Sequence, residues 1–138
     1  MTGFASAAGP SLAVTAEACQ PTPDAGVWRM TWRVRNDDVE PVSVLAAWLP
    51  HGRFRSPRRD LDPPATIAPA GDETLDFFVA CREDAGTVVE NAFVILNLRW
   101  RSADWRVFAR LRVSFREDGA PDAETVLVTT QPVGFSQS

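Results

Sequence analysis

Along most of the chain, apolar and polar residues alternate with a period of two, which puts successive side chains on opposite faces of a β-strand. The stretch VWRMTWRVRN (27–36) is the clearest case. Trp28, Met30, Trp32 and Val34 share one face, while Arg29, Thr31, Arg33 and Arg35 share the other. Such a strand is half buried and half wet. SLAVTAEAC (11–19) alternates more weakly, and VSVLAAWL (42–49) is apolar on both faces. TLDFFVAC (74–81) turns Leu75, Phe77, Val79 and Cys81 to one side. Extended pattern continues through NAFVILNLRWRSADWRVFARLRVSFR (91–116) and TVLVTTQPV (125–133).

Turn-forming clusters, QPTPDAG and NDDVEP, separate the first strands. No long helical period interrupts them. The segment PHGRFRSPRRDLDPPATIAPAGD (50–72) is crowded with proline and charge, and accommodates one short edge strand, because proline removes ladder donors. Seven to eight short antiparallel strands predict an all-β, two-sheet sandwich. No linker or repeat divides the chain, so residues 1–138 read as one domain with frayed ends.

The order WRMTWRVRNDDVEPVSV, then PPATIAPAGDETLDFFV, then a long hairpin resembles bacterial immunoglobulin-like domains. In those, a strand ending in asparagine runs through a charged turn into an x-Pro-Val strand. A later hydrophobic-x-Pro-x-Gly-acid signature leads into the next strand. Ile67, Pro69, Gly71 and Asp72 occupy that signature. Over roughly residues 27–115 the chain resembles CARDB-type adhesion-like modules and, through NDDVEPV, BsuPI-type intracellular proteinase inhibitors. The resemblance implies an immunoglobulin-like sandwich. Its inhibitor branch implies a rival function in which segment 50–66 is presented to a protease.

The 91–116 stretch poses the functional question, since it holds six arginines and a single carboxylate, Asp104. A turn centred on Ala103 and Asp104 sets Trp100 opposite Val107, Leu98 opposite Ala109, Leu96 opposite Leu111 and Val94 opposite Val113. Every inward pair is then apolar, as a buried face requires. The outward pairs become Arg101 with Arg106, Arg99 with Phe108, Asn97 with Arg110 and Ile95 with Arg112. Facing like charges destabilise a sheet by some tenths of a kcal/mol, within the roughly 0.2–1 kcal/mol of cross-strand pairs. In the immunoglobulin-like order the neighbour is 42–49, which carries no charge and adds either Leu45, Ala47 and Leu49 or Val44, Ala46 and Trp48 to the same surface.

The predicted site is therefore an apolar centre of Ile95 and Phe108 rimmed by Arg99, Arg101, Arg106, Arg110 and Arg112. It fits a protein interface, because arginine is enriched in such surfaces. Its simplest occupant is a second copy, giving a homodimer. The competing account is a solvated face whose arginine stems shield apolar surface, with Asp60, Asp62 or Glu90 folding over to pair.

Composition narrows the alternatives. The formal charge is −4 and every basic residue is arginine, with no lysine. An acidic total disfavours nucleic acid and anionic membranes as partners. No run is apolar and long enough to span a bilayer, and the first residues lack the features of a signal peptide, so a cytoplasmic setting is expected. Cys19 and Cys81 are then free thiols, with Cys81 in the core. One histidine, His51, and scattered acidic pairs (Asp37 with Asp38, Asp60 with Asp62, Asp72 with Glu73) match no metal motif. His51 with loop carboxylates defines a further rival, a small-ligand or enzymatic site, although no nucleophile motif accompanies it. Trp28, Trp32 and Trp100 take inward parity, which leaves Trp48 and Trp105 ambiguous. The sequence thus predicts a non-enzymatic protein-binding module without cofactor or metal.

Overall fold

A computed structural model describes residues 9–133. It contains eight strands: β1 (Leu12–Pro21), β2 (Val27–Asn36), β3 (Val42–Leu49), β4 (Phe54–Ile67), β5 (Asp72–Cys81), β6 (Val88–Trp100), β7 (Ala103–Phe115) and β8 (Pro121–Pro132). Helices are absent among the described residues, and none there is long and apolar enough to cross a membrane. The frayed ends expected from the sequence lie outside the described residues.

The all-strand, antiparallel expectation holds, but the layering differs from two separate sheets. All eight strands join one sheet in the order β1-β2-β5-β4-β3-β6-β7-β8. It curls until its edges meet, where Thr125 Oγ1 in β8 donates to the Val14 carbonyl in β1 at 2.6 Å. The result is a nearly closed barrel. A closed or nearly closed sheet hides edge strands that would otherwise template aggregation.

Alternation places the core as expected. Trp32, Met30 and Val34 of β2, Leu75, Phe77 and Val79 of β5, and Val94, Leu96 and Leu98 of β6 are all buried inside. Trp100 and Trp105 pack edge to face across the β6–β7 pair, with centroids 5.7 Å apart. Both therefore belong to the core, while Trp28 is half-buried. Cys81 is buried and Cys19 partly so, and both are free thiols.

Two motifs noted separately in the sequence come together in space. Asn36, fully buried at the end of β2, donates through Nδ2 to the carbonyls of Glu40 (2.8 Å) and Ile67 (3.0 Å). Its Oδ1 accepts the Asp38 amide, and its own amide donates to the Gly71 carbonyl. The Ala70 amide donates back to the Asn36 carbonyl at 2.9 Å. One residue, through its side chain and its backbone, thus ties the charged β2–β3 turn to the end of β4 and the Ala68–Gly71 turn that follows it. A buried amide satisfied on all sides fixes geometry that no apolar residue could.

The proline-rich segment departs from expectation. Instead of a short edge strand in a long loop, β4 runs fourteen residues. Its prolines fall where the ladder to β3 is interrupted: Pro57 lies between the Ser56 and Arg59 pairings, and Pro63 and Pro64 between those of Asp60 and Ala65. The missing donors therefore cost no ladder hydrogen bonds.

Trp32 sits in the middle of three strands, opposite Ala16 on β1 and Leu75 on β5. Trp32→Ala is expected to cost about 3–5 kcal/mol, as a large-to-small core change. Arg29→Ala, on the wet face of the same strand, is expected to stay within about 0.5 kcal/mol. Urea midpoints of the two variants check this; equal midpoints would mean that the facing of β2 is reversed.

Candidate functional site

The site is built on the β6–β7 hairpin, whose turn is tighter than the sequence suggested. Arg101 and Ser102 both adopt left-handed conformations, with φ of 51° and 60°. A two-residue turn with both central φ positive matches the right-handed twist of the flanking strands. Trp100 consequently faces Ala103 rather than Val107. Leu98 faces Trp105 rather than Ala109, and Leu96 faces Val107 rather than Leu111.

The displacement is even, so inward residues stay inward, but every outward pair changes. Arg99 faces Asp104, Asn97 faces Arg106, Ile95 faces Phe108 and Phe93 faces Arg110. The expected arginine-on-arginine and arginine-on-apolar contacts do not form. Arg99 instead binds Asp104 through Nε (3.0 Å) and Nη2 (2.9 Å).

As expected, β3 is the neighbour of β6, and a bulge at Leu45 decides which of its side chains join the outer surface. Before the bulge Val42 and Val44 point inward, and after it Ala47 and Leu49 do. Ala46 and Trp48 are thereby turned outward, opposite Asn97 and Ile95. The outer rows across β3, β6, β7 and β8 then read Ala46–Asn97–Arg106–Gln131 and Trp48–Ile95–Phe108–Thr129. Phe93–Arg110–Leu127 follows on the next three-strand row.

This outer face carries an apolar cluster separate from the core. Ile95 is only 9% exposed and Ala46 fully covered, although both point away from the barrel interior. Phe93 and Phe108 pack edge to face at 6.4 Å. The guanidinium carbons of Arg58 and Arg106 lie 5.1 and 5.7 Å from the Trp48 ring centroid, within cation–π range. Leu127 completes the strip and is half exposed.

The arginines around the cluster divide by partner. Arg99 is neutralised by Asp104, and Arg112 by Glu90 at 3.3 Å, the latter as the solvated-face account expected. Asp60 pairs with Arg58 at 3.0 Å. Arg106 donates to a neutral acceptor, Asn97 Oδ1, at 3.1 Å. Among the described residues, no carboxylate pairs with Arg101, Arg106 or Arg110. Arg101 stands apart from the others at the hairpin tip, stacked 4.5 Å from the Trp100 ring.

The opposite side of the barrel, formed by β1, β2 and β5, provides a contrast. There Arg33 pairs with both Glu17 (2.8 Å) and Asp72 (2.6 Å), and Arg35 with Asp37 (2.7 Å). Thr31 donates to Asp76 at 2.6 Å. The Arg33 hydrogen bond holds the Glu17 carboxyl below its usual range. Arg29 on this face donates to a neutral acceptor, Gln20 Oε1, at 3.2 Å, and no outward aromatic cluster like that around Trp48 accompanies it.

The other candidate residues remain apart. His51 lies in the β3–β4 turn, where its carbonyl accepts the Phe54 amide; among the described residues no side-chain hydrogen bond links its imidazole to a serine or carboxylate. Burial raises the thiol pKa of Cys19, which lines a cleft of about 80 Å³ at the β1–β8 seam, and pushes that of Cys81 up to about 12. A thiol held protonated is a poor nucleophile. Among the described residues no group of three or more His, Cys, Asp or Glu side chains is placed to hold a metal ion. No protein-family model matches the chain, and no curated protein matches it.

Sequence reasoning named Ile95, Phe108 and the arginines, offered Trp48 as one of two alternatives, and missed Arg58, Phe93 and Leu127. Phe93 was legible, because it shares the parity of Ile95. Trp48 depended on the bulge, and Arg58 on a strand that the prolines disguised.

The left-handed Ser102 gives the turn a direct test. Glycine adopts that conformation without the cost borne by a side chain. Ser102→Gly is therefore expected to stabilise the protein by about 1 kcal/mol, read as a higher urea midpoint. A turn centred on Ala103 and Asp104 instead predicts no gain, or a loss.

Proposed function

We propose that this protein is a non-enzymatic binding module whose outer β3–β6–β7–β8 face docks an acidic protein partner. One observation carries the reading. The face collects Trp48, Ile95, Phe93, Phe108 and Leu127 and leaves Arg106 and Arg110 beside them without carboxylates, whereas on the opposite face Arg33 and Arg35 are paired and Arg29, bound to Gln20, has no such aromatic cluster around it. Aromatic and arginine side chains around an apolar centre have the composition of interface hot spots.

The occupant is better a foreign chain than a second copy. Twofold self-pairing would bring Arg106 and Arg110 against their own counterparts, and Asp104 and Glu90 are already engaged. An acidic partner would supply the missing carboxylates at the rim and an apolar side chain over Phe108.

The fold reading that accompanies this is an immunoglobulin-like variant: β1-β2-β5 as one layer and β4-β3-β6-β7-β8 as the other, bridged where β4 touches β5. The cytoplasm is the setting we favour, in keeping with two free thiols. The inhibitor alternative loses its long presenting loop, because most of segment 50–66 is strand β4.

Affinity capture from cell extract with the wild type and with Phe108→Asp tests the reading. A partner rich in aspartate and glutamate is expected, released by raised salt and lost with Phe108→Asp, while circular dichroism shows the variant folded. Capture unaffected by Phe108→Asp would overturn it. A dimer in light scattering that dissociates on Phe108→Asp would return the face to self-association.

A further inference from the structure

The second unfinished surface lies between β4 and β5. These consecutive strands pair only at Phe54–Cys81 and Arg55–Ala80. Beyond that point β4 turns away to pair with β3, while β5 pairs with β2. Between them lies a groove of about 200 Å³, lined mainly by apolar surface from Ser56, Pro57, Arg58, Arg59, Phe77 and Phe78. Phe78 stands 60% exposed at its rim.

Two hydrogen bonds show which backbone groups face the gap. The Cys81 amide donates to Gly26 on the β2 side, and the Arg82 amide donates to Arg53 on the β4 side. In a strand, the N–H and C=O of one residue point to the same side, and successive residues alternate. The even-numbered residues Thr74, Asp76 and Phe78 therefore direct their N–H and C=O groups into the groove. The Asp76 carbonyl confirms the parity, since Arg59 Nη1 donates to it at 2.7 Å. That guanidinium also lies 5.4 Å from the Phe77 ring centroid. The Arg59 side chain thus covers part of the β5 edge that β4 leaves unpaired.

We propose that the β5 edge is a strand-addition site for an extended, acidic segment of a partner protein. An added strand gains main-chain hydrogen bonds from Thr74, Asp76 and Phe78, the recognition mode of exposed sheet edges. β4 itself cannot supply them, because Pro57 lacks a donor and the strand is committed to β3. The added strand's inward side chains meet the buried Phe77, beside Ser56, in a groove lined mainly by apolar surface, which calls for apolar residues. Its outward side chains lie between Thr74, Asp76 and Phe78 of β5 and Arg55, Arg58 and Arg59 of β4, where three guanidinium groups outnumber the Asp76 and Asp60 carboxylates, and the surplus positive charge calls for carboxylates. Among these arginines only Arg58 has a carboxylate partner among the described residues. Alternating apolar and acidic residues are the sequence that fits.

The site is independent of the outer-face reading, and the experiment separates them. Isotope-labelled full-length protein is titrated with an acetylated, amidated hexapeptide of alternating valine and glutamate. The expected result is amide shifts, and slowed hydrogen exchange, at Thr74, Asp76 and Phe78. A copy N-methylated on alternate amides is expected not to bind, because it cannot form the ladder. Phe78→Asp is expected to abolish binding, and Phe108→Asp to leave it unchanged. Equal binding of the N-methylated peptide, shifts centred on Ile95 and Phe108, or no binding at millimolar peptide would each overturn the proposal.

Discussion

The Arg101–Ser102 turn is the constraint on which the proposed docking surface depends. Two consecutive left-handed residues close β6 onto β7 in the tightest hairpin that the strand twist favours. Once the turn is fixed, so is every cross-strand neighbour. Arg99 receives Asp104, Asn97 receives Arg106, and Ile95 meets Phe108. The cross-strand partners of the β6 and β7 residues in the strip, and the charge around them, therefore follow from this turn, while the bulge at Leu45 adds Trp48. Neither residue is glycine or asparagine, so surrounding structure must hold the conformation. The Trp100–Trp105 pair and the stacking of Arg101 on Trp100 lie immediately beside it.

The rest of the barrel holds that hairpin in place and sets a contrast with it. Asn36 fastens two turns at one end of β2 with hydrogen bonds that solvent cannot replace, because it is fully buried. Thr125 joins β8 to β1 and completes the curl of the sheet. Within this frame the two outer faces handle arginine differently. Solvent screens exposed ion pairs, so the Arg33–Glu17–Asp72 group matters more for local neutrality than for stability. On the other face Arg106 and Arg110 lack such neutralisation, and their placement beside Trp48 and Phe108 is the basis of the proposed docking.

The strands and their inward residues were legible because alternation is a direct imprint of the pleat. Trp32, Val34, Leu75 and Phe77 could be assigned from parity alone. The register of β6 against β7 was not legible. Ser102, Ala103 and Asp104 offer common turn chemistry, and both registers give entirely apolar inward pairs, so hydrophobic matching could not choose between them. The bulge at Leu45 was hidden because β3 is apolar on both faces, and a shift in parity leaves no trace in such a stretch. The length of β4 was hidden by prolines that fall at breaks in its ladder. The two-layer sandwich and the nearly closed barrel share the same strands. They differ in the short β4–β5 bridge and the β1–β8 seam, contacts of long range that no local pattern records.

Cross-strand nuclear Overhauser effects between backbone protons of β6 and β7 test the central claim most directly, since this register sets which outward residues of the two strands face one another. The account predicts contacts joining Ile95 to Phe108, Asn97 to Arg106 and Arg99 to Asp104. Contacts joining Ile95 to Arg112 and Asn97 to Arg110 would contradict it, and would restore an arginine ladder across the face.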